Sequence, residues 1–155
     1  MSGNGSWEIG VGRLGFEPDF HLPASICYLP CMNPMTFEDL DSWQHAREMV
    51  SKIYDLTRNA PLCRDFGICT QLQRAGASIM SNIAEGFERA HLPEKSQFYN
   101  IARGSTAEVR SLLYVIEDNF PKTAPASALL REQVVSVGKL VSGLIRSTEA
   151  RKSRS

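Results

Sequence analysis

Apolar residues recur at every third or fourth position in four successive segments of the chain. The first segment covers about residues 39–59, and its stripe comprises Leu40, Trp43, Ala46, Val50, Ile53, Tyr54 and Thr57. Similar stripes run through residues 68–87, 98–116 and 130–145. This spacing puts the stripe on one face of an α-helix, which must be buried against another element. Because no apolar and polar alternation competes, the sequence predicts an all-α fold, an antiparallel up-down four-helix bundle.

The segments between the stripes carry residues that end and begin helices. Pro61 and Gly67 lie in the first break, within NAPLCRDFG. Pro93 stands in the first turn of the third helix, and Glu94 beside it meets the positive end of the helix dipole. The stretch FPKTAP separates the last two helices. These short breaks predict that consecutive helices are antiparallel neighbours.

The ends of the chain differ from its centre. Glycines and prolines interrupt residues 1–35, and no helical period runs for long there, so we predict a flexible N-terminal arm. The periodic region predicts a four-helix bundle over residues 36–148. Residues 149–155 are predicted to form a basic, disordered tail.

Charge and cysteine spacing narrow the classes of function. With 17 basic and 17 acidic side chains, the chain is not a strongly cationic nucleic-acid binder, although a local basic patch is compatible with it. No apolar run approaches the roughly 18 residues that span a bilayer, and no signal peptide is evident, so we expect a cytoplasmic protein with no membrane association.

Cys27 and Cys31 lie in the irregular N-terminal segment, and Cys63 and Cys69 are too widely spaced for a zinc knuckle. Reduced thiols are expected.

Polar residues accompany the second apolar stripe in SIMSNIAEGFERAH, residues 78–91. These residues are Ser78, Asn82, Glu85 and Arg89. Because they are spaced by 4, 3 and 4 positions, they form a second stripe beside the apolar one. Polar residues of the third helix are available to face this stripe. We predict a polar network, buried between the two helices, that fixes their register. Its predicted members are Asn82, Glu85, Arg103, Ser105 and Glu108.

Three glycines, Gly76, Gly86 and Gly104, fall inside the second and third predicted helices. Glycine in a helix interior costs about 1 kcal/mol relative to alanine. We expect close approach of these two helices to offset that cost.

A metal or catalytic site would need more residues than the sequence supplies. Di-iron bundle proteins use two Glu-x-x-His motifs, and Glu88 to His91 is the single example in this sequence. No nucleophile and base pair, G-x-S-x-G turn or phosphate-binding glycine loop occurs. We therefore predict no catalytic residue, no metal ligand and no cofactor, and a protein that is not an enzyme.

Basic residues are concentrated on the second and third predicted helices and near the C-terminus. They could contact phosphate groups, and the alternative is an ordinary solvated surface. The candidate nucleic-acid contacts are Arg74, Arg89, Lys95, Arg110, Arg146, Arg151 and Lys152. Tyr99 or Tyr114 could stack on a base, but both also fit helical packing.

Two central blocks, QLQRAGASIMSNIAEGFER and SQFYNIARGSTAEVRSLLY, resemble the signature of the 23S rRNA intervening-sequence proteins, a four-helix-bundle family first described as ribosomal-protein-like. The resemblance covers about residues 36–148 and includes an opening motif at Phe37, Asp39, Leu40, Trp43 and Ala46. It implies a bacterial protein that binds RNA or rRNA and assembles into a homo-oligomer, a ring-shaped pentamer. Accessory proteins of diversity-generating retroelements share this fold. The alternative is therefore a protein-interaction module, such as an accessory subunit of a retroelement reverse transcriptase.

Overall fold

Four α-helices make up most of the part of the chain that the computed structural model describes, residues 36–154. They are α1 (Asp41–Thr57), α2 (Phe66–Glu88), α3 (Leu92–Asn119) and α4 (Ala124–Lys152). Short 3₁₀ helices, Phe37–Asp39 and Leu62–Arg64, precede α1 and α2. Residues 36–154 contain no strand, and the predicted all-α four-helix fold is confirmed.

Helices that follow one another in the sequence are neighbours in space. α3 packs extensively against both α2 and α4, and α1 closes the bundle with smaller contacts to α2 and α4. Three residues join α2 to α3 and four join α3 to α4, so each connection must reverse the chain direction. The interfaces on either side of α3 are therefore the largest in the bundle.

The helices begin at residues that satisfy free backbone groups or tolerate their absence. The Asp65 carboxylate accepts a hydrogen bond from the Ile68 backbone N–H at 3.1 Å and so caps α2. α3 and α4 carry Pro93 and Pro125 in their first turns, where proline displaces no hydrogen bond. The predicted breaks thus coincide with the observed ones.

The core is built from the predicted stripes. Its fully buried large side chains include Met49, Ile53, Leu62, Leu72, Ile79, Ile83, Val109, Leu113, Ile116, Val134, Val137 and Val141. Each such side chain contributes about 1.5–3 kcal/mol through removal of its apolar surface from water. This burial holds the outward-facing positions of α3 and α4 in fixed relative places.

The three helix glycines have three different surroundings. A Cβ at Gly86 would lie 2.5 Å from Cε1 of Tyr99, so glycine allows the Tyr99 ring of α3 to pack on the α2 backbone. A Cβ at Gly76 would meet Ile53 of α1 rather than α3, and Gly104 has nothing within 4 Å. The expected close approach of α2 and α3 therefore holds at Gly86 alone.

The C-terminal boundary also differs from its prediction. α4 continues to Lys152, four residues beyond the predicted end of the bundle at 148. Arg151 and Lys152 lie in its last turn, where positive charge meets the negative end of the helix dipole. The predicted disordered tail is thus helical over most of its length. The predicted flexible arm, residues 1–35, with Cys27 and Cys31, lies outside the described residues.

Candidate nucleic-acid interface

The predicted buried network between α2 and α3 is wrong for its charged members. Glu85, Arg103 and Glu108 are all exposed. Glu85, in the last turn of α2, pairs at 3.6 Å with Arg89, the residue that follows this helix, and both side chains are about half exposed. Burial of a charge costs several kcal/mol unless its partner is ideally placed. The long charged side chains at this interface extend into water instead.

Small neutral groups make the polar contact between α2 and α3. The Ser78 and Ser105 hydroxyls lie 2.9 Å apart across the interface. The Asn82 amide donates to the Ser78 carbonyl at 2.7 Å and to the Ser78 hydroxyl at 3.1 Å. Ser105 is buried and Asn82 half-buried, so these two members of the predicted network do lie at the interface.

Positively charged side chains that have no ion-pair partner within residues 36–154 lie at a different interface, the one between α3 and α4. Four cationic side chains line a groove of about 460 Å³ that runs between these helices. They are Arg103 and Arg110 on α3 and Lys139 and Arg146 on α4, and we call this set the cationic seam. The two members on each helix are seven residues apart, which places them on one face about 10 Å from each other.

Small side chains form the floor of the groove. A Cβ at Gly138 would lie 3.4 Å from the Thr106 hydroxyl, so α3 and α4 approach closely there. The Thr106 hydroxyl donates to the Arg103 carbonyl at 2.7 Å, and the Ser142 hydroxyl donates to the Gly138 carbonyl at 2.8 Å. With these hydroxyl protons already used, the cations are the main donors that the groove offers to a ligand.

No acidic residue lines the groove, and within residues 36–154 no seam side chain forms an ion pair. A cleft lined by charges of one sign concentrates the electric field and raises the local concentration of oppositely charged ligands. The seam can therefore attract a polyanion even though the whole chain has no net charge.

A tyrosine lies one helical turn beyond the seam. Tyr114 follows Arg110 by four residues, and its ring carries the Arg131 guanidinium 4.5 Å from its centroid. Arg131 donates from Nε to Glu117 Oε1 at 3.0 Å and from Nη1 to the Tyr114 hydroxyl at 3.2 Å. The hydrogen bond to Glu117 raises the pKa of Arg131 further, so its positive charge is permanent. We call Tyr114, Glu117 and Arg131 the tyrosine clamp.

The structure distinguishes the two tyrosines that the sequence left equivalent. Tyr99 is 4% exposed, and burial raises the pKa of its hydroxyl. It is a core residue packed on Gly86 and cannot stack on a ligand. Tyr114 is 47% exposed.

Five of the seven predicted phosphate contacts fall into two groups, and the other two, Arg151 and Lys152, lie in the last turn of α4. Arg110 and Arg146 belong to the seam, whereas three others have local roles near α2. Arg89 pairs with Glu85 and covers the Phe98 ring at 4.6 Å. Arg74 lines a small depression together with Glu108, whose carboxylate opposes its charge.

Lys95 is occupied at the end of α2. Its ammonium donates to the Phe87 carbonyl, and to the Gly86 carbonyl at 3.4 Å, so it satisfies carbonyl groups in the last turn of the helix. Burial lowers the pKa of Lys95, and the charge of Arg151 lowers it further. Lys95 is therefore a helix-capping residue.

Two seam residues were missed in the sequence. Arg103 was assigned to the buried network, and Lys139 was not selected. The signal was present, since the seven-residue spacing of Lys139 and Arg146 places two cations on one face of α4. That this face adjoins the Arg103 and Arg110 face depends on how the helices are rotated in the bundle.

A second groove has a different lining. A groove of about 740 Å³ between α1 and α4 has mixed walls, with Leu129 and Leu130 beside Glu48 and Lys52. Within residues 36–154, no three His, Cys, Asp or Glu side chains are grouped to hold a metal ion. None of the helices in this range has the length and apolarity to cross a membrane.

The fold and the seam define an all-α four-helix-bundle protein with a cationic groove between α3 and α4. Residues 38–143 match the model of the 23S rRNA-intervening sequence protein family, and the chain belongs to that family. A solved structure of a protein with unknown function from the S23 ribosomal protein family of Bacteroides thetaiotaomicron is similar in fold, with a TM-score of 0.61 and 20% sequence identity. The match covers 67% of this chain and 97% of that one. No curated protein matches this sequence significantly.

Proposed function

We propose that this protein binds RNA, with ribosomal RNA as the expected target, through the phosphate groups that the cationic seam attracts. The observation that carries the proposal is a groove lined by four cations, with no acidic side chain among its lining residues. The description of the matching family refers to an intervening sequence of 23S rRNA, and this favours RNA over other polyanions as the ligand. The proposed role is binding rather than catalysis.

The proposed binding depends on counterion release. Each phosphate that meets a cation frees a condensed counterion, so affinity falls as salt concentration rises. For four contacts, the logarithm of the binding constant should fall with the logarithm of salt concentration with a slope of roughly 3 to 4 in magnitude. Guanidinium groups suit this role because their fork of N–H donors matches the oxygens of a phosphate.

The test compares two variants of equal charge. The seam variant carries R103Q, R110Q, K139Q and R146Q. The control variant carries R47Q, K52Q, R58Q and R64Q, which removes four exposed cations from α1 and the segment that follows it. Binding to a fragment of structured rRNA is measured by fluorescence anisotropy over a series of salt concentrations.

The proposal expects the seam variant to lose most of the affinity and most of the salt dependence, while the control variant keeps both. Equal losses in the two variants would show that total charge, rather than the seam, controls binding. Salt-insensitive or absent binding by the unmodified protein would overturn the RNA proposal and favour the protein-interaction alternative.

The expected homo-oligomer, a pentamer, stays a prediction with its own test. A ring would repeat the seam once in each subunit, and linked sites bind a long polyanion more tightly than one site does. Light scattering should then give a mass about five times the subunit mass of 17.2 kDa. A mass near that of one subunit would contradict the prediction.

A further inference from the structure

The tyrosine clamp combines an exposed aromatic ring with an unusually well-fixed partner. Arg131 contacts Glu117 through two nitrogens, Nε at 3.0 Å and Nη2 at 3.5 Å. The side chains of this pair are 28% and 18% exposed, whereas those of the Arg89–Glu85 pair are 44% and 50% exposed. The pair also bridges α3 and α4, whereas the Arg58–Asp55 and Arg89–Glu85 pairs each join the last turn of one helix to the residue that follows it. Arg131 is therefore held by two helices rather than one.

The fixed guanidinium in turn holds the Tyr114 ring. It covers the ring at 4.5 Å and hydrogen-bonds the hydroxyl at 3.2 Å, so both the face and the edge of the ring are restrained. Even so, Tyr114 remains 47% exposed. An aromatic ring that is already ordered loses little side-chain entropy when another ring stacks on it.

The clamp continues the line of the cationic seam. On α3, Arg103, Arg110 and Tyr114 are separated by seven and four residues, and on α4, Arg131, Val135 and Lys139 by four each. Both spacings keep the residues on one helix face. An extended chain whose phosphates follow the seam therefore reaches Tyr114 at the end of the groove.

The charges at the clamp are suited to a polyanion. The carboxylate of Glu117 is neutralised by Arg131, so it does not repel phosphates approaching from the seam. Proteins that hold single-stranded nucleic acid combine a cationic groove with aromatic rings on which bases stack. In a duplex the base faces are hidden by their neighbours, so a protruding ring gains contact only with an unpaired base.

We propose that Tyr114 is a stacking site for one unpaired nucleobase, and that the RNA bound at the seam is therefore single-stranded, as in a loop or a chain end. This inference rests on the proposed function, since the seam must first hold the sugar-phosphate backbone. Tyr114 recognises a base and the seam recognises phosphates, so the two can be separated experimentally.

The experiment uses three probes on the full chain. A single-stranded RNA of about 8 nucleotides carries both bases and phosphates, a duplex of the same sequence hides its base faces, and inorganic polyphosphate has no bases. Binding of each is measured for the unmodified protein and for Y114A, Y114F, Y114L and Y54A. Y54A is the matched control because Tyr54 is 40% exposed on α1.

Y114A and Y114L should weaken binding of the single strand by about fivefold or more, the effect of losing one base stack. Polyphosphate and duplex binding should change by less than about twofold, because the seam is intact. Y54A should bind all three probes like the unmodified protein. Y114F keeps the ring but loses its hydrogen bond to Arg131, so it should retain more of the single-strand binding than Y114A does. Circular dichroism and thermal melting confirm that each variant is folded.

Two results overturn the inference in distinguishable ways. If the unmodified protein binds all probes but Y114A binds the single strand normally, or loses polyphosphate equally, Tyr114 does not stack on a base and only supports the seam. If the unmodified protein binds neither polyphosphate nor RNA in a salt-dependent manner, the proposed function fails, and this inference fails with it.

Discussion

The two sides of α3 use charge in opposite ways. Against α2, the polar contact comes from small neutral groups, Ser78 and Ser105, and the Tyr99 ring packs on Gly86. The nearby Glu85 and Arg89 pair locally at the surface. Against α4, four cations surround a groove without acidic lining, and one ion pair bridges the helices at the end of that groove. The side that faces α4 therefore concentrates positive charge, which is the arrangement that attracts anionic ligands.

The following variants test this comparison, from the largest expected effect to the smallest. G86A should destabilise the fold by about 1–3 kcal/mol, because the added methyl group overlaps the buried Tyr99 ring. G104A on α3 is the control, since its methyl group meets nothing and alanine favours the helix by up to about 1 kcal/mol. Urea unfolding measures both. A G86A protein as stable as the unmodified one would show that α2 and α3 are loosely packed there.

A single seam substitution should affect binding more than stability. R110Q should weaken RNA binding severalfold and reduce the magnitude of the salt slope by roughly 1. R89Q is the control on the other side of α3, because Arg89 is engaged by Glu85 and Phe98. Anisotropy titrations at several salt concentrations give both slopes. The comparison between the two sides fails if R89Q lowers affinity as much as R110Q does.

Substitution of the two paired glutamates, Glu85 and Glu117, should change the free energy of unfolding by different amounts. E85Q should change the free energy of unfolding by less than about 0.5 kcal/mol, because the Glu85–Arg89 pair is exposed. E117Q should destabilise more than E85Q, since it removes the partner of an interhelical pair that is largely shielded from water. Thermal and urea unfolding of the two variants measures the difference, and the reverse order would contradict this account of the clamp.

The smallest expected effect concerns the pH dependence of stability near the α2–α3 connection. The folded-state pKa of Lys95 is lowered, so the folded protein holds fewer protons than the unfolded chain between that pKa and the ordinary value of 10.5. Stability should therefore rise with pH across this interval, and the contribution should be lost as the pH falls through the folded pKa.

The Lys95 contribution is isolated by comparing the unmodified protein with K95M, since all other titrating groups are shared. R151Q should raise the pKa of Lys95 towards its ordinary value, because the charge of Arg151 is one cause of the lowering. Urea unfolding at a series of pH values gives the first difference and NMR titration gives the second. Identical pH profiles for the unmodified protein and K95M would contradict the assignment.

Periodicity predicts the helices well because the position of the apolar face depends only on the sequence of the helix itself. The apolar stripes predict that Ile79, Ile83, Val137 and Val141 are buried, whichever helix packs against them, and all four are buried. Pro93, which the sequence places in the first turn of α3, likewise acts within a single turn. These features need no knowledge of the neighbouring helix.

The polar residues were harder to predict because their surroundings depend on helix rotation. Asn82 and Glu85 share a stripe, yet the short amide stays at the interface and the longer carboxylate reaches water. Arg103 lies two residues before Ser105, but the turn of α3 directs it to the groove beside α4. Which residues line a groove between two helices depends on the rotation of each helix about its axis. The apolar stripe of one helix does not give the rotation of the other.

Mapping the RNA contact sites tests the central claim most directly. The unmodified protein is cross-linked by ultraviolet light to a single-stranded RNA containing 4-thiouridine, and the attached peptides are identified by mass spectrometry. The account predicts cross-links within residues 103–114 of α3 and 131–146 of α4, the helix faces that carry the seam and the clamp. Cross-links confined to α1 and α2 would place the binding surface elsewhere and contradict it.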